Sequence, residues 1–362
     1  MDREHIAYLQ YFRALAIILI VCGHTYAVAW THFVNEDPQD KVSWINMLPA
    51  LINGGTAYFV FISGFLYRHV FYGRLSYAEF MAKKAKYVGL PYLVLGLPIA
   101  VLGIVLGTFT TTLTKDGVPY PHSGFIDLTV LLATGRMAVA YWYIPCAMLL
   151  FLASPLFDRF IRLGGKAQIA IWLASIGVAL WIHRPVENLN PLQSLLYIAN
   201  FYLFGMIFYH HREAIIAVIA RQSVILASIA FMLAIAAIQA MVMHNVGNIE
   251  HNFGEGWLPV ALDLGLVQKY AGFLIFCGLF SHWTVDTAPA LGYLADISFG
   301  IFFVHAPVLA ILIRMPPALS PHVGDLTLDL ILYTAFVLAI SIAIITVVKR
   351  LAGRRSRYII GC

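Results

Sequence analysis

The sequence predicts an all-α fold, a polytopic membrane bundle of about ten transmembrane helices with both termini in the cytoplasm. Three observations support this prediction. Hydrophobic residues make up 61% of the 362 residues and charged residues only 11%, which is more apolar sequence than one soluble core can bury. Apolar runs of about 20 residues recur along the chain. Lysine and arginine collect in alternate connections between these runs, as they do on the cytoplasmic side of membranes.

The predicted spans follow one another through the chain, and no polar segment between them is long enough to fold alone. They cover 8–30, 47–69, 87–109, 139–157, 168–183, 191–209, 223–243, 258–281, 289–312 and 328–348. The first span is not followed by a signal-peptide cleavage site, so we expect it to be retained. The fifth span is short. A weaker apolar run at 124–134 is assigned to an outer loop. We therefore expect one membrane domain over 1–362, ending in a basic cytoplasmic tail at 349–362.

The distribution of positive charge predicts the orientation. With the N-terminus inside, the cytoplasmic connections hold 16 of the 23 Lys and Arg residues, and the outer connections hold five. The basic tail is interpreted as a topology anchor at an anionic leaflet, in preference to a nucleic-acid-binding segment. The four cysteines are dispersed, so neither a disulfide framework nor a metal site is predicted.

Arg13 and His24 are ionisable residues inside the first predicted span, where a central Arg costs at least ~2.5 kcal/mol. Their spacing corresponds to about three full helical turns and about 16 Å, so they share one face of the helix. Arg13 is close enough to the cytoplasmic edge to snorkel, whereas His24 is too deep and must face a partner or water. We expect both to line one cavity wall.

Polar residues in two later spans are further candidates. Ser298 and His305 lie within about 20° of a common helix face, so they either join the cavity or form a packed polar pair. Asp263 and Lys269 differ by about 120° around their helix, so we expect no direct pairing. Asp263 is assigned to the acceptor or to a basic partner, and the role of Lys269 stays open.

Five stretches, in order along the chain, resemble the acyltransferase-3 family of integral membrane acyltransferases, which move acyl groups onto cell-surface sugars. They are RALAIILIVCGH (13–24), YFVFISGFLY (58–67), KKAKYVGLPYL (83–93), YWYIP (141–145) and ISFGIFFVHAPVL (297–309). The resemblance covers about residues 8–348. Two motifs depart from the family pattern: its basic pair usually features arginines and here is Lys83 and Lys86, and its Ser-Tyr is Ser298-Phe299. Lysine keeps the charge but loses bidentate phosphate geometry.

The resemblance implies a membrane O-acyltransferase of the plasma (bacterial inner) membrane, of the kind used in polysaccharide modification and exopolysaccharide biosynthesis. The donor would be cytoplasmic acyl-CoA, with acetyl-CoA as the commonest expectation, and the acceptor a hydroxyl of an extracytoplasmic or lipid-linked glycan. We expect no metal. The expected partners are the CoA thioester, the glycan and the bilayer, without nucleic acid, and a homo-oligomer is left open.

Together with the helical geometry, the resemblance implies a set of candidate site residues. They are Arg13, Lys83, Lys84 and Lys86 for CoA binding, His24, Ser63 and Trp142 for catalysis, and Ser298, His305 and Asp263 for the acceptor. Cationic side chains attract the phosphates, a neutral histidine serves as general base, and polar donors stabilise the developing oxyanion. A close helix contact at Ser63 and simple core packing at Trp142 stay open as alternatives.

Two other function classes remain to be distinguished. A secondary transporter or proton-coupled channel would use His24, His305, Asp263 and Lys269 as a relay, but no paired repeat is evident. A scaffold for envelope assembly would have no need of the Arg13 and His24 pairing. Thermal stabilisation by CoA or acyl-CoA, but not by sugars or ions, would select the acyltransferase.

Overall fold

The chain folds as a bundle of long apolar helices. The computed structural model describes residues 7–34, 44–106, 114–115, 118–119, 124–182, 190–241, 262–315, 321, 323 and 325–362. Besides helices and the turns that connect them, these ranges contain a two-residue antiparallel pairing of β1 (Thr114–Lys115) with β2 (Val118–Pro119). The prediction of an all-α membrane fold is confirmed.

The described helices, in chain order, are α1 (Ala7–Val34), α2 (Trp44–Ile52), α3 (Gly55–Leu66), α4 (Tyr77–Lys84), α5 (Leu90–Val105), α6 (Gly124–Thr134), α7 (Tyr143–Leu152), α8 (Ser154–Arg162), α9 (Gly165–Trp181), α10 (Pro191–Ile219), α11 (Gln222–Met241), α12 (Leu264–Phe280), α13 (Pro289–Leu312), α14 (Leu326–Ala352) and α15 (Ser356–Ile359). A π-helical turn extends α3 over Tyr67–Phe71, and a second joins α4 to α5 over Ala85–Gly89.

Seven of the described helical segments are long and apolar enough to cross a membrane. They are Ala7–Ala29, Met47–Phe71, Tyr77–Val105, Pro191–Ile219, Gln222–Met241, Pro289–Leu312 and Leu326–Ile359. Helices α7 and α8 make an eighth span if this pair, bent by 55°, is counted as one. The predicted spans 168–183 and 258–281 correspond to α9 and α12, each only 17 residues long. The count of ten and the cytoplasmic termini therefore stay predictions.

The segment 124–134, assigned to a loop from its sequence, is helix α6 and packs beside α5. After Gly124, this apolar segment has no glycine or proline that would interrupt a helix. Asp127 lies in the first turn, where a carboxylate is favoured by the helix dipole. Both features favour a helix over the loop expected for this segment.

Helix α1 lies at the centre of the bundle, in contact with α3, α12, α13 and α14. Aromatic rings fill its contacts with α3 and α12. Phe12 lies 4.9 Å from Tyr58 between ring centroids, and Phe61 lies 4.6 Å from Phe273. Rings at such separations contribute favourable packing beyond the area that they bury. This aromatic layer lies between α1, α3 and α12, at the residue before Arg13 in the chain.

Helices α3 and α10 touch through their backbones. A Cβ atom added at Gly64 would lie 2.0 Å from the carbonyl oxygen of Tyr202, and one added at Gly205 would lie 2.1 Å from that of Phe61. Small residues allow this approach between membrane helices. The close helix contact considered for the Ser63-Gly64 stretch is therefore present.

The basic tail continues the last helix and packs on the bundle. Ser356 donates a hydrogen bond from Oγ to the carbonyl of Cys362 at 2.7 Å. The ring of Tyr358 stacks on Tyr87 with centroids 5.8 Å apart, and Sγ of Cys362 occupies the space that Gly300 leaves on α13. These contacts attach residues 353–362 to the π-helical turn before α5 and to α13.

Candidate active site

Two histidines from α1 and α13 meet inside the bundle. Nδ1 of His24 lies 3.1 Å from Nε2 of His305, and the two rings are nearly parallel with centroids 5.3 Å apart. His305 is fully buried, and its Nδ1 lies 2.9 Å from the carbonyl oxygen of Ile301. Sequence reasoning placed both histidines near one cavity but did not predict their contact.

The hydrogen bonds define the tautomer of each histidine. A carbonyl oxygen only accepts, so in neutral His305 the hydrogen lies on Nδ1 and Nε2 carries a lone pair. Nε2 of His305 then accepts from Nδ1–H of His24, which leaves the lone pair of His24 on its own Nε2. His24 is thereby held in the form that a general base requires.

His24 lies between two cavities of different character. A polar cavity of about 290 Å³ is lined by His24 together with Asn53, Thr56, Trp142, Tyr197 and Lys269. A second cavity of about 550 Å³ is mainly apolar, with Val28, Ile99, Met137, Pro307 and Arg136 among its lining residues. A reacting group at His24 can therefore be approached from a polar side and from an apolar side.

The irregular segment before α7 brings Trp142 to His24. Gly135 adopts φ 74°, and a Cβ there would lie 2.3 Å from the carbonyl oxygen of Tyr141, so glycine is required at this turn. The hydroxyl of Tyr141 donates to the carbonyl of Phe303 on α13 at 2.9 Å. This bond attaches the segment to the helix that carries His305, and Trp142 lines the polar cavity as a buried residue.

Tyr197 links Asp263 to Lys269 at the wall of the polar cavity. The Tyr197 hydroxyl donates to Oδ2 of Asp263 at 2.6 Å, and Nζ of Lys269 donates to that hydroxyl at 3.4 Å. The fully buried Asp263 also caps α12, because its Oδ1 accepts from the backbone N–H of Leu266. Asp263 and Lys269 are thus connected through the Tyr197 hydroxyl, although they do not share a helix face.

Arg13 lines a different cavity, at the other end of the same helix. This cavity, of about 590 Å³, also contains Gln10, Asp286, Tyr293 and Asp296. Nη2 of Arg13 lies 3.5 Å from Oδ1 of Asp296. The expectation that Arg13 and His24 line one cavity wall is therefore wrong, because they line separate cavities. The helix periodicity is as expected, but Ala14, Ala16 and Ile17 between them are fully buried against neighbouring helices.

The hydroxyls of Ser63 and Ser298 face neighbours in the protein. Ser63 lies within hydrogen-bonding reach of the Tyr143 side chain, and Ser298 donates from Oγ to the carbonyl of Ala295 at 2.8 Å. Neither serine is among the described residues that line the two His24 cavities. The roles predicted for them would require a local rearrangement.

The three lysines have different surroundings. Nζ of Lys84 lies 4.3 Å, 4.6 Å and 5.2 Å from the ring centroids of Phe151, Phe71 and Phe80, an arrangement typical of cation–π contacts. Nζ of Lys86 lies 5.0 Å from the ring of Tyr358, and Lys83 is exposed. None of the three is among the described lining residues of the Arg13 cavity. Their predicted contact with CoA stays a prediction.

Comparison with known proteins identifies the family. The model of the acyltransferase family 3 domain, described as an acyltransferase domain, matches residues 6–350. The chain belongs to the acyltransferase 3 family. No match was found among curated proteins or among solved structures. The resemblance inferred from sequence motifs is confirmed, and it supports a membrane acyltransferase over the transporter.

Three residues of this acyltransferase's cavities were missed from the sequence. Tyr197 and Asp296 carry no local signal, because each is identified only by a contact with a distant part of the chain. Asn53 had a signal in the Asn53-Gly54-Gly55 run, which is typical of a turn. Gly54 adopts φ 133°, and its missing side chain leaves room for the stem of Lys269.

Proposed function

We propose that this acyltransferase moves an acyl group, with acetyl as the first candidate, from cytoplasmic acyl-CoA to a hydroxyl of an extracytoplasmic or lipid-linked glycan. His24 acts as the general base. The observation that carries the proposal is the His24–His305 hydrogen bond. It orients His24 with a lone pair on Nε2 at the junction of two cavities large enough for substrate groups.

The reaction begins with removal of a proton from the acceptor. The hydroxyl oxygen attacks the thioester carbon while its proton passes to Nε2 of His24. The imidazolium formed keeps its Nδ1–H donated to His305, which stabilises the charge as the third member of a catalytic triad does. The carbon–sulfur bond then breaks, and the CoA sulfur takes the proton from Nε2. The products are the ester and free CoA, and His24 is again neutral.

The negative charge on the carbonyl oxygen requires hydrogen-bond donors beside His24. Trp142 and Lys269 line the same polar cavity and provide an indole N–H and an ammonium group. Tyr197 and Asp263 orient Lys269 through the hydrogen bonds described above. A single well-placed donor of this kind is worth roughly 3 kcal/mol of transition-state stabilisation. Trp142 thus keeps its predicted role, and Lys269 joins it.

The two cavities suit different parts of a lipid-linked acceptor. Sugar hydroxyls match the amide, hydroxyl and ammonium groups of Asn53, Thr56 and Lys269. A hydrocarbon chain matches the apolar cavity, and Arg136 in its lining suits a phosphate between sugar and lipid. The charge distribution supports a cytoplasmic Arg13 end with both termini inside, and the proposed cell-surface acceptor fits a plasma-membrane location.

The experiment is a transfer assay with the purified protein in phosphatidylcholine nanodiscs. It follows release of CoA thiol from acetyl-CoA and transfer of labelled acetyl to extracted surface glycans. His24→Ala should lower turnover by about 10²- to 10⁴-fold, whereas His282→Ala, at an exposed histidine on the turn after α12, should match the parent. Parent-like turnover in His24→Ala would overturn the proposal.

A further inference from the structure

Three buried polar atoms lack a hydrogen-bond partner at the Arg13 end of the molecule. They are Oη of Tyr8, Nε of Arg13 and Nδ1 of His69, half of the six such side-chain atoms among the described residues. Tyr8 as a whole is only 6% exposed. Buried polar groups are nearly always paired in native proteins, and an exception calls for an explanation such as an absent ligand.

A positive side chain lies in the neighbourhood of two of these atoms, those of Tyr8 and His69. The guanidinium of Arg212 lies 5.2 Å from the ring centroid of Tyr209, and the ring of His69 lies 5.3 Å from the same ring. Arg212 also donates to the carbonyl of Tyr209 at 3.2 Å, which fixes its position. It lies within electrostatic range of both Tyr8 and His69. A fixed arginine of α10 therefore acts electrostatically on the unpartnered atoms of α1 and of the π-helical turn after α3.

Arg68 brings a second guanidinium to the same end of the bundle. Its Nη1 donates to the carbonyl of Met206 at 3.3 Å, so it is held against α10 as well. It acts electrostatically on His210, next to His211, where the helix departs from regular geometry. The acidic group recorded in contact with Arg212 is Glu213, whose side chain is 86% exposed. The local charge is strongly positive.

A topology signal alone does not explain this arrangement. Exposed lysines and arginines suffice to orient a span, and they require neither fixed guanidinium groups nor buried unpaired atoms. Lys84 and Lys86, by contrast, already have aromatic rings around their ammonium groups. Two fixed guanidinium groups with a neighbouring hydroxyl and imidazole are the donors that proteins use for phosphate.

We propose that Arg68, Arg212, His69 and the Tyr8 hydroxyl form a phosphate-binding site. The inference rests on the proposed function in assigning this site to the nucleotide end of acyl-CoA. Leu66, which lines the Arg13 cavity, precedes His69 by three residues and so lies about one helical turn away on the same side of the helix, next to a space for the pantetheine arm. A phosphate ester is also present in anionic lipid headgroups, and the experiment separates these two sources.

The test compares CoA with pantetheine, which lacks the phosphates, by calorimetry in phosphatidylcholine nanodiscs. The parent should bind CoA more tightly than pantetheine. An Arg68→Gln, Arg212→Gln double variant should lose about tenfold or more in CoA affinity and keep the pantetheine affinity. Arg221→Gln, at an exposed arginine in the next turn of the chain, is the matched control and should bind like the parent.

Tyr8→Phe keeps the test valid if the double variant does not fold. Removal of an unpartnered buried hydroxyl should leave the melting temperature equal or higher, while CoA affinity falls. Nanodiscs that contain phosphatidylglycerol test the other source of a phosphate ester, the anionic lipid headgroup. If the parent binds neither CoA nor pantetheine, but phosphatidylglycerol stabilises it more than the double variant, the phosphate site stands and the proposed function fails. Double and Tyr8→Phe variants that match the parent with both CoA and phosphatidylglycerol overturn the site.

Discussion

Nδ1 of His24 and Nε2 of His305 lie 3.1 Å apart although the residues are 281 positions apart in the chain. The Ile301 carbonyl fixes the hydrogen of His305, and His305 in turn fixes the hydrogen of His24. The tautomer of the residue on α1 is thus determined from α13. His305 is accordingly a positioning residue for the proposed base.

His305→Ala should lower kcat by about 10²- to 10⁴-fold and change KM little, because the base loses its orienting partner. His305→Gln should recover part of this loss, since its amide oxygen can accept from Nδ1–H of His24. The measurement is steady-state kinetics of both variants. A purely structural role would instead give equal kcat losses with a lower melting temperature in both.

Arg13→Ala should weaken CoA binding by about tenfold and leave turnover at saturating donor unchanged. His24→Ala should show the reverse pattern, with CoA affinity preserved and turnover lost. The reason is that the two residues line separate cavities. Calorimetry with CoA and single-turnover assays test both. Equal losses of binding and turnover in either variant contradict the division of roles.

Tyr197→Phe should lower kcat, because Lys269 loses the hydroxyl that links it to Asp263. The free energy of unfolding should also fall by about 1–3 kcal/mol, since the buried carboxylate loses a donor. Tyr77→Phe, at an exposed tyrosine that lines neither the Arg13 cavity nor the His24 cavities, is the control for loss of a hydroxyl. Unchanged kcat in Tyr197→Phe would remove Lys269 from the proposed mechanism.

Lys84→Gln should lower the melting temperature, because each cation–π contact contributes about 0.5–2 kcal/mol.

A Lys83→Gln, Lys86→Gln double variant, first confirmed to insert correctly, tests the predicted recognition of CoA phosphates. Its CoA affinity should fall mainly at low salt, since exposed charges are screened over ~8 Å at physiological ionic strength. An affinity and a salt dependence equal to those of the parent would make these lysines topology signals.

Gly64→Ala should destabilise the bundle by about 3 kcal/mol or more, because the new methyl group would collide with the backbone of Tyr202. Gly177→Ala is the matched control. No described atom lies within 4 Å of a Cβ at that position, so the change should be neutral or stabilising by about 1 kcal/mol. Thermal unfolding of the two variants measures the difference. Similar melting temperatures would contradict the close α3–α10 crossing.

Features that depend on local sequence were predictable. The apolar runs gave the long helices, and helix periodicity placed Arg13 and His24 on one face of α1. The motifs around Ser63 and His305 identified the family. Each of these features depends on residues that are close in the chain, where spacing and composition carry the information.

Features that depend on helix contacts were not predictable. Tyr197 and Asp263 are 66 residues apart, and nothing in either segment indicates that their side chains meet. Lys84 was predicted to bind phosphate from its charge alone. Its aromatic neighbours Phe71 and Phe151 belong to other helical segments, so the sequence around Lys84 does not indicate them. The separation of Arg13 from His24 likewise arises from helix packing, because neighbouring helices bury Ala14, Ala16 and Ile17 between them.

The aromatic layer around Phe12 has a consequence for the electrochemical gradient of the membrane. In the function proposed above, a cytoplasmic donor and an outer acceptor need a passage between the Arg13 cavity and the His24 cavities. A passage that stayed open at rest would let protons and ions leak. Tyr58, Phe61 and Phe273 close around Phe12 with ring centroids 4.9 Å, 5.9 Å and 5.6 Å away. This layer consists of side chains, so under the proposed function rotamer changes alone would part the rings for a narrow thioester arm, while the helices, and the membrane voltage, stay in place.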